Sequence, residues 1–281
     1  MKKVLAAVAL VAAFGSVYAQ PAFKIGGAIA YDIKKLSNAP LTVAPVSTSN
    51  INLTATESFG GGVTLKAYTE IQPGGNGTIA EGNDLYLEFD APTAGTVKVG
   101  QVEIKNGIYV RGLGGAPVIG LDGTVLAKKG NFQLLEYKTP SFNGFKLELA
   151  NTRAFDNTGV SQTAIGATYT DSVVSAGIDR NQTTERVRAS ASVIVKGVKF
   201  GAGISRKELK VADSSVFGVS YAMGAVTVGA AYSKGNGTGT EYGIKYDLSK
   251  RTYVQLALAQ VSDNKLVGNL DTYRFRVSHT F

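Results

Sequence analysis

Alternation at two scales constrains this chain more than any other feature. Within segment after segment, apolar and polar residues take turns, and between the segments short and long connections take turns as well. In an extended chain successive side chains point to opposite faces, so a period of two means a strand with two different surroundings. Phe23, Ile25, Ile29, Tyr31 and Ile33 share one face opposite Lys24 and Asp32. Leu85, Leu87 and Phe89 oppose Tyr86, Glu88 and Asp90; Phe145, Leu147 and Leu149 oppose Lys146 and Glu148. Val187, Ala189, Ala191, Val193 and Val195 oppose Arg186, Arg188, Ser190 and Ser192, and Tyr242, Ile244 and Tyr246 oppose Glu241 and Lys245. Around Phe132 to Lys138 the adjacent Leu134 and Leu135 leave both registers open.

The short connections fall at 59–62, 92–95, 140–144, 171–172, 196–197, 223–224 and 247–250; most hold Gly or Asn, which supply the positive φ of tight hairpins. The longer ones fall at about 35–48, 73–82, 104–130, 153–159, 180–185, 207–213, 234–239 and 262–270. Counting the segments between them gives sixteen strands with both chain ends on the short-turn side.

The N-terminus reads as an export signal. Lys2 and Lys3 precede the apolar run Val4 to Phe14, and Val17-Tyr18-Ala19 has the small-x-small form of a cleavage site. The expected division is therefore a cleaved signal at 1–19 and one β-barrel domain at 20–281. Removing the signal lowers the formal charge from +8 to +6. With no cysteine, neither a disulfide framework nor a thiolate metal site is available. Lys and Arg are dispersed rather than clustered, which argues against nucleic acid as a partner.

No segment is long and apolar enough for a spanning helix, yet strands of this pattern meet the other condition for crossing a bilayer. In hydrocarbon every backbone N–H and C=O needs an internal partner, so a spanning sheet must close on itself. The apolar face then meets lipid, because a Lys or Arg facing mid-bilayer costs about 2–4 kcal/mol. The polar face encloses water, since sixteen strands make a barrel too wide for side chains to fill. A soluble β-sandwich or β-helix is the competing all-β reading. Tyr31, Tyr169, Tyr221, Tyr232, Tyr246 and Phe281 are candidates for aromatic girdles at the two interfaces, although the chain has no Trp.

The last nine residues put Tyr273, Phe275, Val277, His279 and Phe281 on one face and Arg274, Arg276, Ser278 and Thr280 on the other. An aromatic, alternating last strand ending on Phe resembles the assembly signal of bacterial outer-membrane barrels, carried here by Tyr273, Phe275, Val277 and Phe281. Further segments resemble the general porins of Gram-negative bacteria, of the Neisseria and proteobacterial type. They are Ser49 to Ala67 with its glycine-rich turn, Ala94 to Gln101, Tyr137-Lys-Thr-Pro-Ser-Phe-Asn-Gly-Phe145 and Tyr246-Asp-Leu-Ser-Lys-Arg-Thr252. The resemblance implies a closed, antiparallel sixteen-stranded barrel in the outer membrane, assembled as a homotrimer with the help of the barrel assembly machinery. It also implies passive diffusion of small hydrophilic solutes and inorganic ions, and no cofactor. The third outer loop of that family folds into the lumen, and the longest connection here, the 27 residues Ile104 to Gly130, stands in that third place.

Family members commonly set acids of that loop against bases on the wall. Here the loop carries Asp122 against Lys105, Arg111, Lys128 and Lys129, and Gln101 stands where the family has an arginine. By parity Lys24, Lys66, Lys98, Arg186, Arg188, Arg274 and Arg276 face inward, with Asp32, Glu70, Glu88, Asp90, Glu148 and Glu241 as inward acids. A narrow pore focuses the field of its lining charges, and basic linings favour anions, so a weak anion preference is expected. Most of these charges need only solvate the wall.

Catalysis finds no inventory. His279 is the one histidine, and no Gly-x-Ser-x-Gly or phosphate-cradling glycine loop is present. Two other functions stay open. A structural or adhesive barrel would carry its role on long loops, and most loops here are short. A solute-specific channel would line its path with aromatics; Tyr68, Tyr86 and Tyr253 are scattered over distant strands in this reading.

Overall fold

The computed structural model describes residues 21–45, 49–72, 84–104, 130–154, 161–183, 185–206, 213–235, 237–264 and 268–281. The expected export signal, and the interior of the connection expected to enter the lumen, lie outside these residues. The described elements are all strands: β1 (Ala22–Leu36), β2 (Thr42–Pro45), β3 (Asn50–Ser58), β4 (Thr64–Ile71), β5 (Leu85–Ala91), β6 (Gly95–Ile104), β7 (Gly130–Lys138), β8 (Phe145–Ala154), β9 (Gln162–Thr170), β10 (Val174–Asn181), β11 (Val187–Val195), β12 (Val198–Arg206), β13 (Ser214–Met223), β14 (Val226–Gly235), β15 (Gly237–Asp247), β16 (Thr252–Asn264) and β17 (Gly268–Thr280). Each pairs antiparallel with its neighbour, and β1 pairs with both β17 and β3, so the sheet closes.

β2 and β3 are two pieces of one stave. β3 lies opposite Ala22–Ala28 of β1 and β2 opposite Tyr31–Lys34, which makes the closed sheet a sixteen-stranded barrel. At the break, the buried Ser49 hydroxyl accepts from the Ala30 N–H at 3.0 Å and donates to the Ala30 carbonyl at 3.1 Å. One side chain thus serves both backbone groups that the interrupted ladder leaves over. The first long connection is accordingly shorter than the turn residues alone suggest. β1 runs on to Leu36 and β2 returns against it, carrying Leu41 and Val43 exposed beside the outward Ile33.

Register fixes which face is which. Phe23, Ile25, Ile29, Leu85, Leu87, Phe145, Leu147, Leu149, Tyr242 and Ile244 are exposed on the outside, an apolar belt for hydrocarbon. The ambiguity at Leu134 and Leu135 resolves here. Leu134 pairs with Gly100 and is 6% exposed, while Leu135 pairs with Val99 and is 56% exposed. Leu134 packs with Ala150, Ala164 and Val102 into a small apolar patch on the inner face.

Two glycines are required by close approach. Gly100 has φ +152°, and a Cβ there would run into the Leu85 carbonyl and the Tyr86 backbone across the β5–β6 ladder. Gly27 lies where the chain end returns: its N–H and carbonyl bond the Phe281 carbonyl and N–H at 3.2 and 3.1 Å, and a side chain would strike the Phe281 ring. The last residue is thereby fixed onto the first strand.

The short connections use the expected turn chemistry. Asn143-Gly144 and Lys196-Gly197 each hold two consecutive positive φ values, as two-residue hairpins with the strand's own twist require. The 171–173 turn uses a carboxylate instead. Asp171 accepts the Tyr169 hydroxyl at 2.6 Å and the N–H groups of Val173 and Val174 at 2.7 and 2.6 Å. The Tyr169 hydroxyl first, then those two N–H groups, hold its pKa below the usual carboxylate range. A carboxylate whose folded pKa is depressed stabilises fully above its unfolded pKa and loses that contribution as pH falls through the folded value. Asp171→Ala should therefore lower the urea midpoint of refolded barrels at neutral pH. The gap to wild type should narrow on acidification below roughly pH 4, and a pH-independent gap would mean that the charge has no part in it.

Candidate functional site

The inner wall carries its charges in cross-strand rows. Lys66 of β4, Glu88 of β5, Lys98 of β6 and Glu136 of β7 are successive register partners, so four adjacent strands present alternating signs in one row. Lys66 Nζ donates to Glu88 Oε1 at 2.6 Å, and Lys98 Nζ stands 2.9 Å from Glu88 Oε2. One strand on, Lys138 lies 3.0 Å from Glu136 and 4.0 Å from Glu148. Opposite charges directly across a ladder stabilise it by roughly 0.2–1 kcal/mol a pair, and half-burial against the wall limits their freedom.

Beside this row, Tyr68 and Tyr86 are register partners, stacked with centroids 4.9 Å apart and planes 20° apart. This corrects the reading of scattered inward aromatics, because two of the three are neighbours. Lys98 sits 4.5 Å and Lys66 5.4 Å from the Tyr86 ring centroid, and the Tyr68 hydroxyl donates to Asn52 at 2.9 Å, with Glu70 at 3.4 Å. The Tyr86 ring is thus taken up by Tyr68 and the two ammonium groups. The pair works as packing within the ladder rather than as a bare stacking surface.

A second group lies at the closing seam. Asp32 of β1 and Arg276 of β17 are register partners, and Arg276 donates from Nε and Nη2 to the two carboxylate oxygens at 2.7 and 2.8 Å. This is the bidentate fork that planar guanidinium and carboxylate form best. Arg274 reaches the same carboxylate at 4.0 Å and donates to Gln255 at 3.4 Å. Farther round, Arg186 stands 3.8 Å from the buried Asp179, whose register partner on β11 is Arg188.

Of the inward candidates, the structure places Lys66, Lys98, Arg186, Arg188, Arg274 and Arg276 in these groups, while Lys24 faces inward opposite Thr54, away from them. Glu241 is fully buried on the inner face of β15, between Ala231 and Ala259. Lys105, Arg111 and Asp122 lie outside the described residues. Gln101, set in place of the family's arginine, pairs with Leu85 and Gln133 and so belongs to the outer face. Tyr273, Phe275, Val277 and Phe281 line the outer face of β17, and His279 Nδ1 is 2.9 Å from the Thr252 hydroxyl. Sequence reasoning missed Glu136 and Lys138, which lay in the ambiguous segment, and Asp179, which the outward Ile178 beside it could have revealed. Among the described residues no group of His, Cys, Asp and Glu is arranged to hold a metal ion.

Comparison with solved structures gives the same barrel. A loop-deletion mutant of OmpT, an outer-membrane protein of Vibrio cholerae, superposes with a TM-score of 0.72 at 12% identity, over 94% of this chain and all of the other. The anion-selective porin of Comamonas acidovorans gives 0.71 at 15% identity over 93% of this chain and all of that one. A double mutant of the Rh. blastica porin gives 0.72 at 16%, over 92% of this chain and all of that one. A comparison with curated proteins gave no match. The sequence profile described as Gram-negative porin matches residues 6–266, nearly the whole of a chain whose inner wall is charged and whose outer wall is apolar. The chain belongs to the Gram-negative porins.

Proposed function

We propose that the chain forms a water-filled channel across the outer membrane for passive diffusion of small hydrophilic solutes and ions, with a weak preference for anions. The observation that carries this reading is a closed sixteen-stranded barrel with rows of charges of both signs inside and an apolar belt outside. A barrel of that width keeps water between its walls. Ions that cross it meet paired charges rather than one dominant sign. Glu88 is shared by two lysines and Asp32 by two arginines, whereas Lys138 serves two acids. The residue is a small positive surplus, which makes the preference weak. The reading includes removal of residues 1–19 on export, recognition of the outward face of β17 by the assembly machinery, and a homotrimer. It includes no enzymatic step.

Single-channel current in planar bilayers under a salt gradient tests it. Stable ohmic steps with a reversal potential on the anion side are expected. A cation-side reversal would keep the pore and overturn the charge argument, and silence from properly inserted barrels would leave a structural or adhesive barrel as the better account.

A further inference from the structure

Lysines without a counter-charge collect inside one mouth of the barrel. Lys24 is the third residue of β1, Lys146 the second of β8 and Lys199 the second of β12, so all three stand where strands rise from the short-connection end. Each faces inward beside a neutral register partner: Thr54, Thr168 and Ser220. Lys24 and Lys146 are exposed and Lys199 is half-buried. Among the described residues none of the three side chains takes part in an ion pair or hydrogen bond. The other inward lysines of this end are held: Lys66, Lys98, Lys138 and Lys245 each stand within 3.0 Å of a carboxylate. In the far half the inward arginines lean on acids as well, Arg186 beside Asp179 and both Arg274 and Arg276 beside Asp32.

The three are spread around the mouth. With β2 and β3 counted as one stave, they stand on staves 1, 7 and 11 of sixteen, so the gaps between them are six, four and six staves. Sixteen strands about 4.8 Å apart and tilted by about 40° enclose a ring roughly 30 Å across. A lysine arm reaches about 6 Å inward from that ring, which leaves each ammonium about 10 Å from the axis. No small solute can touch all three. None can pass, however, without coming within about one screening length of an ammonium at 0.1 M salt. The acids of this end do not cancel the charge: the three free lysines and the four held ones make seven, against the five inward acids Glu88, Asp90, Glu136, Glu148 and Asp247. The surplus is two positive charges.

We propose that Lys24, Lys146 and Lys199 form a capture ring at the short-connection mouth for small soluble anions that carry several charges, and so favour the entry of such solutes from that side. The ring acts through its field rather than by closing on the solute. At 10 mM salt, where the screening length is about 30 Å, a surplus of two charges at about 10 Å raises a monovalent anion at the mouth roughly threefold. The enrichment compounds with the charge of the solute, so an anion of three or more charges is raised at least roughly tenfold. The free arms can also follow the solute through the mouth, since no carboxylate holds them. The inference rests on the open channel proposed above, but not on the sign of its reversal potential.

The test records blockade of single channels in planar bilayers by inorganic tripolyphosphate, added to one side at a time in 10 mM KCl. The chain has no cysteine of its own, so a label on S172C, in a short turn, reports which way each barrel is inserted. Blockade from the short-connection side should be roughly tenfold more frequent than from the other side, and the excess should vanish at 1 M salt. K24Q/K146Q/K199Q should lower the short-side rate about tenfold and leave the far-side rate unchanged. K24R/K146R/K199R, which keeps the charge, should behave as wild type. K34Q, which removes an inward lysine of the far half, should leave the short-side rate unchanged. Equal rates from the two sides of wild type would overturn the ring, as would a short-side rate that survives K24Q/K146Q/K199Q or a side preference that persists at 1 M salt. Absence of ohmic steps would remove the open channel and the ring with it, whereas steady steps with equal blockade from both sides would remove the ring alone.

Discussion

Asp32→Ala should destabilise the folded barrel by about 1.5–3 kcal/mol, the range for hydrogen bonds to a charged group, since the pair is partly buried in the wall. Asp32 is the carboxylate between Arg276, which bonds it through two nitrogens, and Arg274. Without it Arg276 loses its bidentate partner, and the like charges of Arg274 and Arg276, two residues apart on the same face of β17, are no longer bridged by a shared carboxylate. The effect is large because of where it falls. The pair joins the first strand to the last across 244 positions of sequence, at the seam where the sheet must close, and an open sheet edge is not tolerated in hydrocarbon. The unfolding midpoint in urea, followed by heat-modifiable migration, measures the loss. Asp32→Asn separates shape from charge: it keeps an acceptor for one arginine N–H and should recover part of the stability. Both variants should move the reversal potential toward anions. A midpoint unchanged from wild type would show that the backbone ladder alone holds the seam, and an unchanged reversal potential would place the arginines off the conducting path.

How far the sequence could anticipate this follows from what period two encodes. Alternation assigns a side chain to a face, so residue order alone puts Lys66, Glu88, Lys98 and Arg276 inside and locates the turns at Asn143-Gly144 and Lys196-Gly197. Alternation does not encode the stagger between strands, because a slip by two residues preserves every face. For that reason Tyr68 and Tyr86 read as unrelated aromatics although they stack, and Glu88 read only as one of several inward acids although two lysines share it. At Leu134 and Leu135 the pattern itself is broken by an inward apolar residue, which hid Glu136 and Lys138 on the same face. Gln101 shows the same limit for family resemblance. It matches a family position in sequence, but the register beside Gly100 turns it toward the outside. The Ser49 repair of the β2–β3 break had no sequence signal at all, since a serine before a strand is ordinary.

Glu88→Gln should shift ion selectivity in the same direction as Asp32→Ala, from the opposite kind of site. Glu88 is the acid between two lysines, in a row where each charge is next to one of opposite sign. Neutralising it converts the run Lys66–Glu88–Lys98 from one net positive charge to two. At 4 Å, a unit charge contributes roughly 1 kcal/mol even at the dielectric constant of water, so an anion passing the wall there gains about that much over wild type. The reversal potential should therefore move toward anions at low salt and return most of the way at 1 M salt, where screening shortens the reach of the field to about 3 Å. The fold should lose less than with Asp32, about 1–2 kcal/mol for two cross-strand pairs, because Gln still accepts from one lysine and the Tyr86 ring keeps both ammonium groups close. Asp32 and Glu88 share no partner, so the two shifts should add in the double variant. A shift for Asp32→Ala with none for Glu88→Gln would mean that ions pass along the β17 side of the wall and that the Lys66–Glu88–Lys98 row serves the sheet alone. Shifts at both that persist unchanged at 1 M salt would mean that the charges act by altering the shape of the path rather than through their field.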